Sequence, residues 1–223
     1  MDPRTICVVI PAYNEAQVLT EVLEQVLADF PFVVCVDDGS SDDTAARAAQ
    51  AGAVLVQHPI NLGQGAALQT GISYGLLDPT IRTFVTFDAD GQHQVADVRA
   101  MLHRLARDEV DIVFGSRFLD ARTSMSRLKR LVLKLAVAYT NRTAGVHLSD
   151  AHNGLRVFDR RVAEALDIRQ NGMAHASEIV STVAERGFRY AEEPVHVLYT
   201  DYSRSKGQSV LNSVNIVFDL VFR

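Results

Sequence analysis

Two carboxylates one residue apart, Asp88 and Asp90, follow directly on the bulky apolar run Thr83–Phe87. Side chains alternate along a strand, so acids at i and i+2 leave it on the same side. Gly91 lets the chain turn after them, and Gln92 and His93 follow as further ligand types. Paired hard oxygens at the carboxyl edge of a strand suit Mg²⁺ or Mn²⁺, which keeps positions open for water and substrate phosphates. On that reading Asp88, Asp90 and Gln92 are the candidate metal ligands. His93 reads more simply as a loop residue or a hydrogen-bond partner of a ligand than as a ligand itself. The same stretch also reads as a solvated acidic turn, and an isolated D-x-D does not separate the two.

Other groups with chemical capacity recur at similar places. Pro11–Glu15, Asp37–Ser41 and Ser116-Arg117 each follow an apolar run, and Asp150-Ala151-His152-Asn153 precedes one. Asp150 is the best general-base candidate if an acceptor hydroxyl must be deprotonated; it also reads as an acceptor-binding group or as a residue that fixes its turn. Six basic residues, Arg117, Arg122, Arg127, Lys129, Arg130 and Lys134, stand against the single acid Asp120 in a chain of net charge −5. Tyr202–Ser209 is polar and glycine-containing, and it carries Arg204 and Lys206.

The elements that must position these groups are legible as alternating patterns. Ile6–Ile10 is an apolar run of the kind buried on both faces, with Pro11 stopping it. Leu19, Val22, Leu23, Val26 and Leu27 mark a helix, with Asn14 as its expected N-cap. Strands are expected at Phe32–Val36, Ala53–Val56, Thr83–Phe87 and Asp111–Gly115. Helices are expected after Ser40 or Ser41, over Ala66–Leu77 and over Val95–Ala106. Leu128, Leu131, Val132, Leu135 and Tyr139 mark an amphipathic helix within the basic stretch. It reads either as a packed helix with a solvated basic face or as one lying on an anionic membrane surface or facing an anionic lipid. A strand follows Ser149–Asn153, then helices at Asp159–Leu166 and Ser177–Glu185, a strand at Tyr190–Leu198, and a terminal amphipathic helix with Val210, Val214, Val217 and Val221 on one face. Strand–helix alternation predicts an α/β domain with a mostly parallel sheet and helices on both faces. Its sites belong outside the carboxyl ends of the strands, where the polar clusters stand.

The 223 residues suit one compact domain, and no linker argues for a cut. The negative net charge argues against a general nucleic-acid binder. Cys7 and Cys35 fall inside apolar strands and read as buried, reduced thiols. The start does not resemble a signal peptide, and no run of about 18 apolar residues predicts a membrane span. No G-x-G-x-x-G follows the first strand and no G-x-x-x-x-G-K occurs, which excludes the common dehydrogenase and P-loop readings.

The series VVIPAYNE, VVCVDDGSSDDT, NLGQGAALQTG, FDADGQH, DIVFGSRF, DAHNGLRVF and YSRSKGQS resembles the family-two glycosyltransferases, and within them the dolichyl- or polyprenyl-phosphate mannosyl- and glucosyltransferase group. The resemblance covers about Ile6 to Ser209. It implies a GT-A fold and an inverting, metal-dependent transfer from a GDP- or UDP-sugar. The half over residues 1–116 would bind the nucleotide, and the half over 117–223 the acceptor, with a closing loop at 200–209. By motif position, Pro11, Tyr13, Glu15, Val36 and Asp38 would form the nucleotide pocket, with Asp38 on base or ribose. Asp88, Asp90 and Gln92 would hold the metal, and Ala89 would line the site. Arg117 would meet a donor or acceptor phosphate, and Arg204 would close over the diphosphate. The family's second basic residue on that loop is replaced here by Val210, with Lys206 as the substitute.

The acceptor decides the chemistry. A lipid phosphate is anionic at neutral pH and attacks without a base; a hydroxyl of a glycan or glycolipid needs one. Arg117 and the basic helix favour polyprenyl phosphate and a peripheral position on the cytosolic face of a membrane. A soluble hydroxyl-directed transferase, a sugar-nucleotide-binding protein without turnover and a nucleotidyltransferase are the competing readings.

Overall fold

The structure, a computed structural model, describes residues 1–120, 123, 126–172 and 174–198, apart from the Lys129 side chain. Arg122, Arg204, Lys206, the 200–209 loop and the terminal helix expected from the sequence lie outside the described residues.

Seven strands form one sheet: β1 Ile6–Ala12, β2 Val33–Asp37, β3 Val54–Gln57, β4 Thr83–Thr86, β5 Ile112–Ser116, β6 Arg156–Asp159 and β7 Tyr190–Pro194. Their order is β3-β2-β1-β4-β6-β5-β7. Four adjacent pairs run parallel, and β6 runs antiparallel between β4 and β5. The expected mostly parallel α/β architecture is therefore present. The reversed β6 has a consequence for the site. Its amino end, and with it the loop 149–155, reaches the rim where the parallel strands end.

The core follows strand alternation. Ile6, Val8 and Ile10 face one side with α1 (Leu19–Leu27), α2 (Thr44–Ala51) and α4 (Val95–Arg107). Cys7 and Val9 face the other with α3 (Gln64–Leu76), α5 (Arg127–Ala144), α6 (Arg160–Ala165) and α7 (His175–Glu185). Both cysteines are buried and reduced, and burial pushes each thiol up to about 12.

Three local readings are corrected. Pro11 does not stop β1 but pairs with Val36 inside it. Val9 accepts from Phe87, so odd positions of β1 face β4, which has already ended by Pro11; the missing proline N–H falls where no partner strand remains. Asn14 is not the cap of α1, which starts at Leu19; it sits at φ 54° and accepts from Ser41 N at 2.8 Å. Neither Ser40 nor Ser41 caps α2, whose first amide, Thr44 N, donates to Asp42 Oδ1 at 3.0 Å. On α5, for which a packed and a surface-lying reading are both open, the apolar row marked from the sequence faces outward: Leu128, Leu131, Leu135 and Tyr139 are 41–59% exposed. Leu133, Ala136, Val137 and Thr140 are buried instead, and α5 packs on α7. Both rows satisfy helical spacing, and the one with smaller residues permits the closer approach.

Candidate active site

The loops after β1 and β2 lock together at the rim. Asn14 N donates to Ser40 Oγ at 2.9 Å, Glu15 N to Thr44 Oγ1 at 2.8 Å, and Asp38 N to Ala12 O at 2.8 Å. This joins Pro11, Tyr13, Glu15, Val36 and Asp38 into one wall. Val36 is fully buried, whereas Tyr13 is 46% exposed. Asp38 is 3% exposed and anchors the next loop: it accepts from Leu62 N at 2.9 Å, Gly63 N at 2.7 Å and His58 Nδ1 at 2.7 Å. His58 reaches on to Thr70 at 2.9 Å through its other nitrogen. Asp38 therefore ties the third strand's loop to the second's, an internal role that its motif position did not suggest.

Gln64, the residue this anchored loop delivers, donates to Asp88 Oδ1 at 3.2 Å. His93 Nε2 meets Asp88 Oδ2 at 2.9 Å, and its ring stands edge-on to Phe87. His93 thus orients the acid, as the simpler reading of it expected. Gly154 comes so close that a Cβ there would collide with the Asp88 carboxylate. Gly91, at φ +74°, makes the turn after Asp90. Gln92 donates to Asp90 twice, from its backbone at 3.0 Å and from Nε2 at 2.6 Å; in this geometry it is a support for Asp90. Ala89 is buried beneath the pair.

The electrostatics of this pair fit a cation. Burial, then the Asp88 charge, pushes Asp90 up to about 6, and Glu15 adds to the push. Burial acts upward on Asp88 as well, but His93, Arg156 and His175 outweigh it and hold its carboxyl below the usual value. A divalent ion relieves such like-charge crowding. Among the described residues no group of three or more His, Cys, Asp or Glu side chains gathers as a metal cage. Two carboxylates with the remaining positions left to water and phosphate is the donor set Mg²⁺ and Mn²⁺ accept. Asp88 and Asp90 are the residues that would hold it, with the Gln92 carboxamide oxygen beside them.

Across the reversed strand, Arg117 and Asp150 form a two-pronged ion pair: Nε to Oδ2 at 2.6 Å and Nη2 to Oδ1 at 2.8 Å, with Arg117 N also donating to Oδ2 at 3.1 Å. The Asp150 carboxylate is fully buried. Burial acts upward on its pKa, yet Arg117 holds it below the ordinary range. A carboxylate so engaged is a weaker proton acceptor, and the geometry matches the turn-fixing reading of Asp150. Glu192 of β7 steadies the same turn, accepting from Ser149 N at 2.9 Å and Asp150 N at 3.1 Å. Around Phe118 three cations converge: Arg117, Arg130 and Lys134 lie 5.9, 6.0 and 6.0 Å from its ring centroid.

Several working residues were not singled out from sequence: Gln64, His58, Glu192, His175 and Arg156. Gln64 and Arg156 lie inside quoted motifs, and Arg156 carries its own signal, a lone guanidinium in the apolar strand Leu155–Phe158. Glu192 and His58 act over 43 and 20 residues of separation, which no spacing rule reaches.

Among known proteins, the chain is 30% identical to the polyprenol monophosphomannose synthase of Mycolicibacterium smegmatis, over 96% of this chain and 86% of that one. It is 26% identical to a UDP-N-acetylglucosamine–dolichyl-phosphate N-acetylglucosaminyltransferase of Methanococcus voltae, over 99% and 96%. The fold is that of the Mycobacterium tuberculosis glucosyl-3-phosphoglycerate synthase solved with Mn²⁺, uridine diphosphate and product, at TM-score 0.70 and 20% identity over 97% of this chain and 80% of that one. Residues 7–167 match glycosyl transferase family 2, so this chain, with its GT-A sheet and its rim of acids, belongs to that family of glycosyltransferases.

Proposed function

We propose that this glycosyltransferase moves a sugar from a UDP- or GDP-sugar to a polyprenyl phosphate, with inversion at the anomeric carbon and with Mg²⁺ or Mn²⁺ as cofactor. The carrying observation is that Arg130 and Lys134 meet around Phe118 at the rim, beside the Arg117–Asp150 ion pair. These two supply positive charge for an anionic acceptor beside the donor site. The engagement of Asp150 by Arg117 supports the same reading, since an acceptor phosphate needs no base. Two relatives named for polyprenol and dolichyl-phosphate products or acceptors agree with it.

The residues divide the work. The wall of Pro11, Tyr13, Glu15 and Val36 receives the nucleotide, with Asp38 holding the loop that presents Gln64. Asp88 and Asp90 face the diphosphate. When bound there, a divalent cation neutralises charge on the leaving diphosphate. An acceptor phosphate oxygen attacks the anomeric carbon; the bond from that carbon to the β-phosphate oxygen breaks, and the nucleoside diphosphate leaves with the electron pair. Arg204 and Lys206 are proposed to close over the diphosphate and exclude water.

Long-chain lipid must be met at a membrane. No helix among the described residues is long and apolar enough to cross one. The outward row Leu128, Leu131, Leu135 and Tyr139, flanked by Arg127 and Arg130, suits a peripheral seat on an anionic surface.

The test is release of nucleoside diphosphate from a panel of nucleotide-sugars, with Mn²⁺ or Mg²⁺, against a short-chain polyprenyl phosphate, its dephosphorylated alcohol and soluble glycans. Turnover with the phosphate alone is expected. Turnover with the alcohol or glycans, and none with the phosphate, overturns the proposal.

A further inference from the structure

Among the described residues, Arg156 is the largest side chain that the fold buries completely. It stands at the first position of β6, in register with Thr86 of β4 and Phe114 of β5. Its surroundings do not satisfy it. Among the described residues, Nη1 makes one long contact to Gly154 O, at 3.4 Å, and Nε and Nη2 meet no hydrogen-bond partner. The stronger donor to that carbonyl is Thr86 Oγ1, at 2.6 Å. Burying a charge without full hydrogen bonding is costly, and an apolar side chain of similar volume is often as stable or more so. Stability alone therefore does not account for an arginine here.

Its position does. The acids nearest it in effect are Asp88 and Asp150, one from each loop that meets at the rim. Gly154, which Arg156 touches, is also the residue pressed against the Asp88 carboxylate. Arg117 is committed to Asp150, so it does not balance Asp88 as well. Burial lowers the Arg156 pKa to about 10, with the two aspartates opposing, so it stays charged at neutral pH. His175 and His152, also close, are pushed down to about 4 by burial, so they add no charge near neutrality.

We infer that Arg156 is a positioning residue for sugar transfer: a fixed cation beneath the rim, set against the Gly154 loop, that balances Asp88 and offsets negative charge as the nucleoside diphosphate departs. The inference rests on the proposed transfer reaction. It has a signature that a purely structural arginine lacks. Removing the charge makes the acidic rim more negative, so a divalent cation should bind at least as well while turnover slows. A unit charge acting through several ångströms of protein changes such a step by about tenfold.

The experiment compares wild type with Arg156→Met and Arg156→Lys. Thermal unfolding without metal, Mn²⁺ titration by calorimetry, and nucleoside diphosphate release are measured on each. For Arg156→Met we expect an equal or higher Tm, Mn²⁺ affinity equal or tighter, and kcat lower by about tenfold or more. Arg156→Lys should recover most of kcat. A kcat within about twofold of wild type in Arg156→Met, weakened Mn²⁺ binding, or Lys no better than Met overturns the inference. If Arg156→Met does not fold, Arg156→Gln against Arg156→Lys decides the same point, and equal kcat in those two overturns it. Wild-type turnover in the same assay shows separately whether the underlying reaction is right.

Discussion

Arg117 holds Asp150 at both carboxylate oxygens, and the carboxylate has no exposed surface. Breaking a buried pair from one side leaves a lone charge, so Asp150→Asn should cost about 3–5 kcal/mol. The double variant Arg117→Met, Asp150→Leu should recover much of that loss, because the pair is coupled. Because Asp150 is held below its usual pKa, its stabilising contribution is complete above the unfolded value near 3.8. It is lost as pH falls through the lower folded value. Urea unfolding at several pH values reads this. If Asp150 were instead the base, Asp150→Asn would abolish the acidic limb of the pH–rate profile with little loss of stability.

Asp90 predicts the opposite pH dependence. Its folded pKa, about 6, exceeds the ordinary carboxyl value of 3.8, so between the two the native state holds a proton that the unfolded state has released. Metal-free stability should fall as pH rises from about 4 to 6 and stay lower above. Asp90→Asn should then be more stable than wild type at pH 7.5, by about 1–2 kcal/mol, and indistinguishable from it below pH 4. Mn²⁺ should raise the Tm of wild type and not of the variant, and transfer by the variant should fall by about a hundredfold or more. A variant that is less stable at pH 7.5, or that still responds to Mn²⁺, contradicts the assignment.

What the sequence carried and what it withheld divide along distance. Short-range patterns were readable: apolar runs for the central strands, helical spacing for α1, and the acid pair at the end of β4. Each depends on residues within a turn or two of one another. Pairings across the rim were not. Asp150 meets Arg117 over 33 residues, and Asp38 meets Gly63 over 25. Their anchoring partners were out of reach, so the sequence left Asp150 open between base, acceptor binding and fixing its turn, and gave Asp38 only a nucleotide contact. The facing of α5 stayed open for another reason, since two apolar rows share one helical period and only the neighbouring α7 chooses between them.

The Asp38–His58–Thr70 chain implies a remote effect on donor binding. His58→Ala removes the 2.7 Å contact to Asp38 and the 2.9 Å contact to Thr70. A buried acceptor that loses one partner costs about 1–3 kcal/mol. The loop bearing Gln64 should loosen with it, raising KM for the nucleotide-sugar several-fold while kcat changes less. His58→Gln, which can donate to Asp38, should restore part of KM. A lower kcat with unchanged KM would place the effect elsewhere.

The outward face of α5 separates membrane contact from packing. Leu128, Leu131 and Leu135 are each more than half exposed, so replacing all three by Ser should leave Tm within a few degrees. If the face meets lipid, the same change should weaken binding to vesicles containing anionic lipid, and Arg127→Gln with Arg130→Gln should weaken it further. Each basic residue near such a surface contributes about 1 kcal/mol, so losing two should lower the partition constant by about thirtyfold at low salt. Turnover supplies the control. A short-chain polyprenyl phosphate in solution should be used normally by the Leu→Ser variant, whereas a long-chain acceptor in vesicles should not. Equal vesicle binding by wild type and both variants would show α5 to be a solvated face.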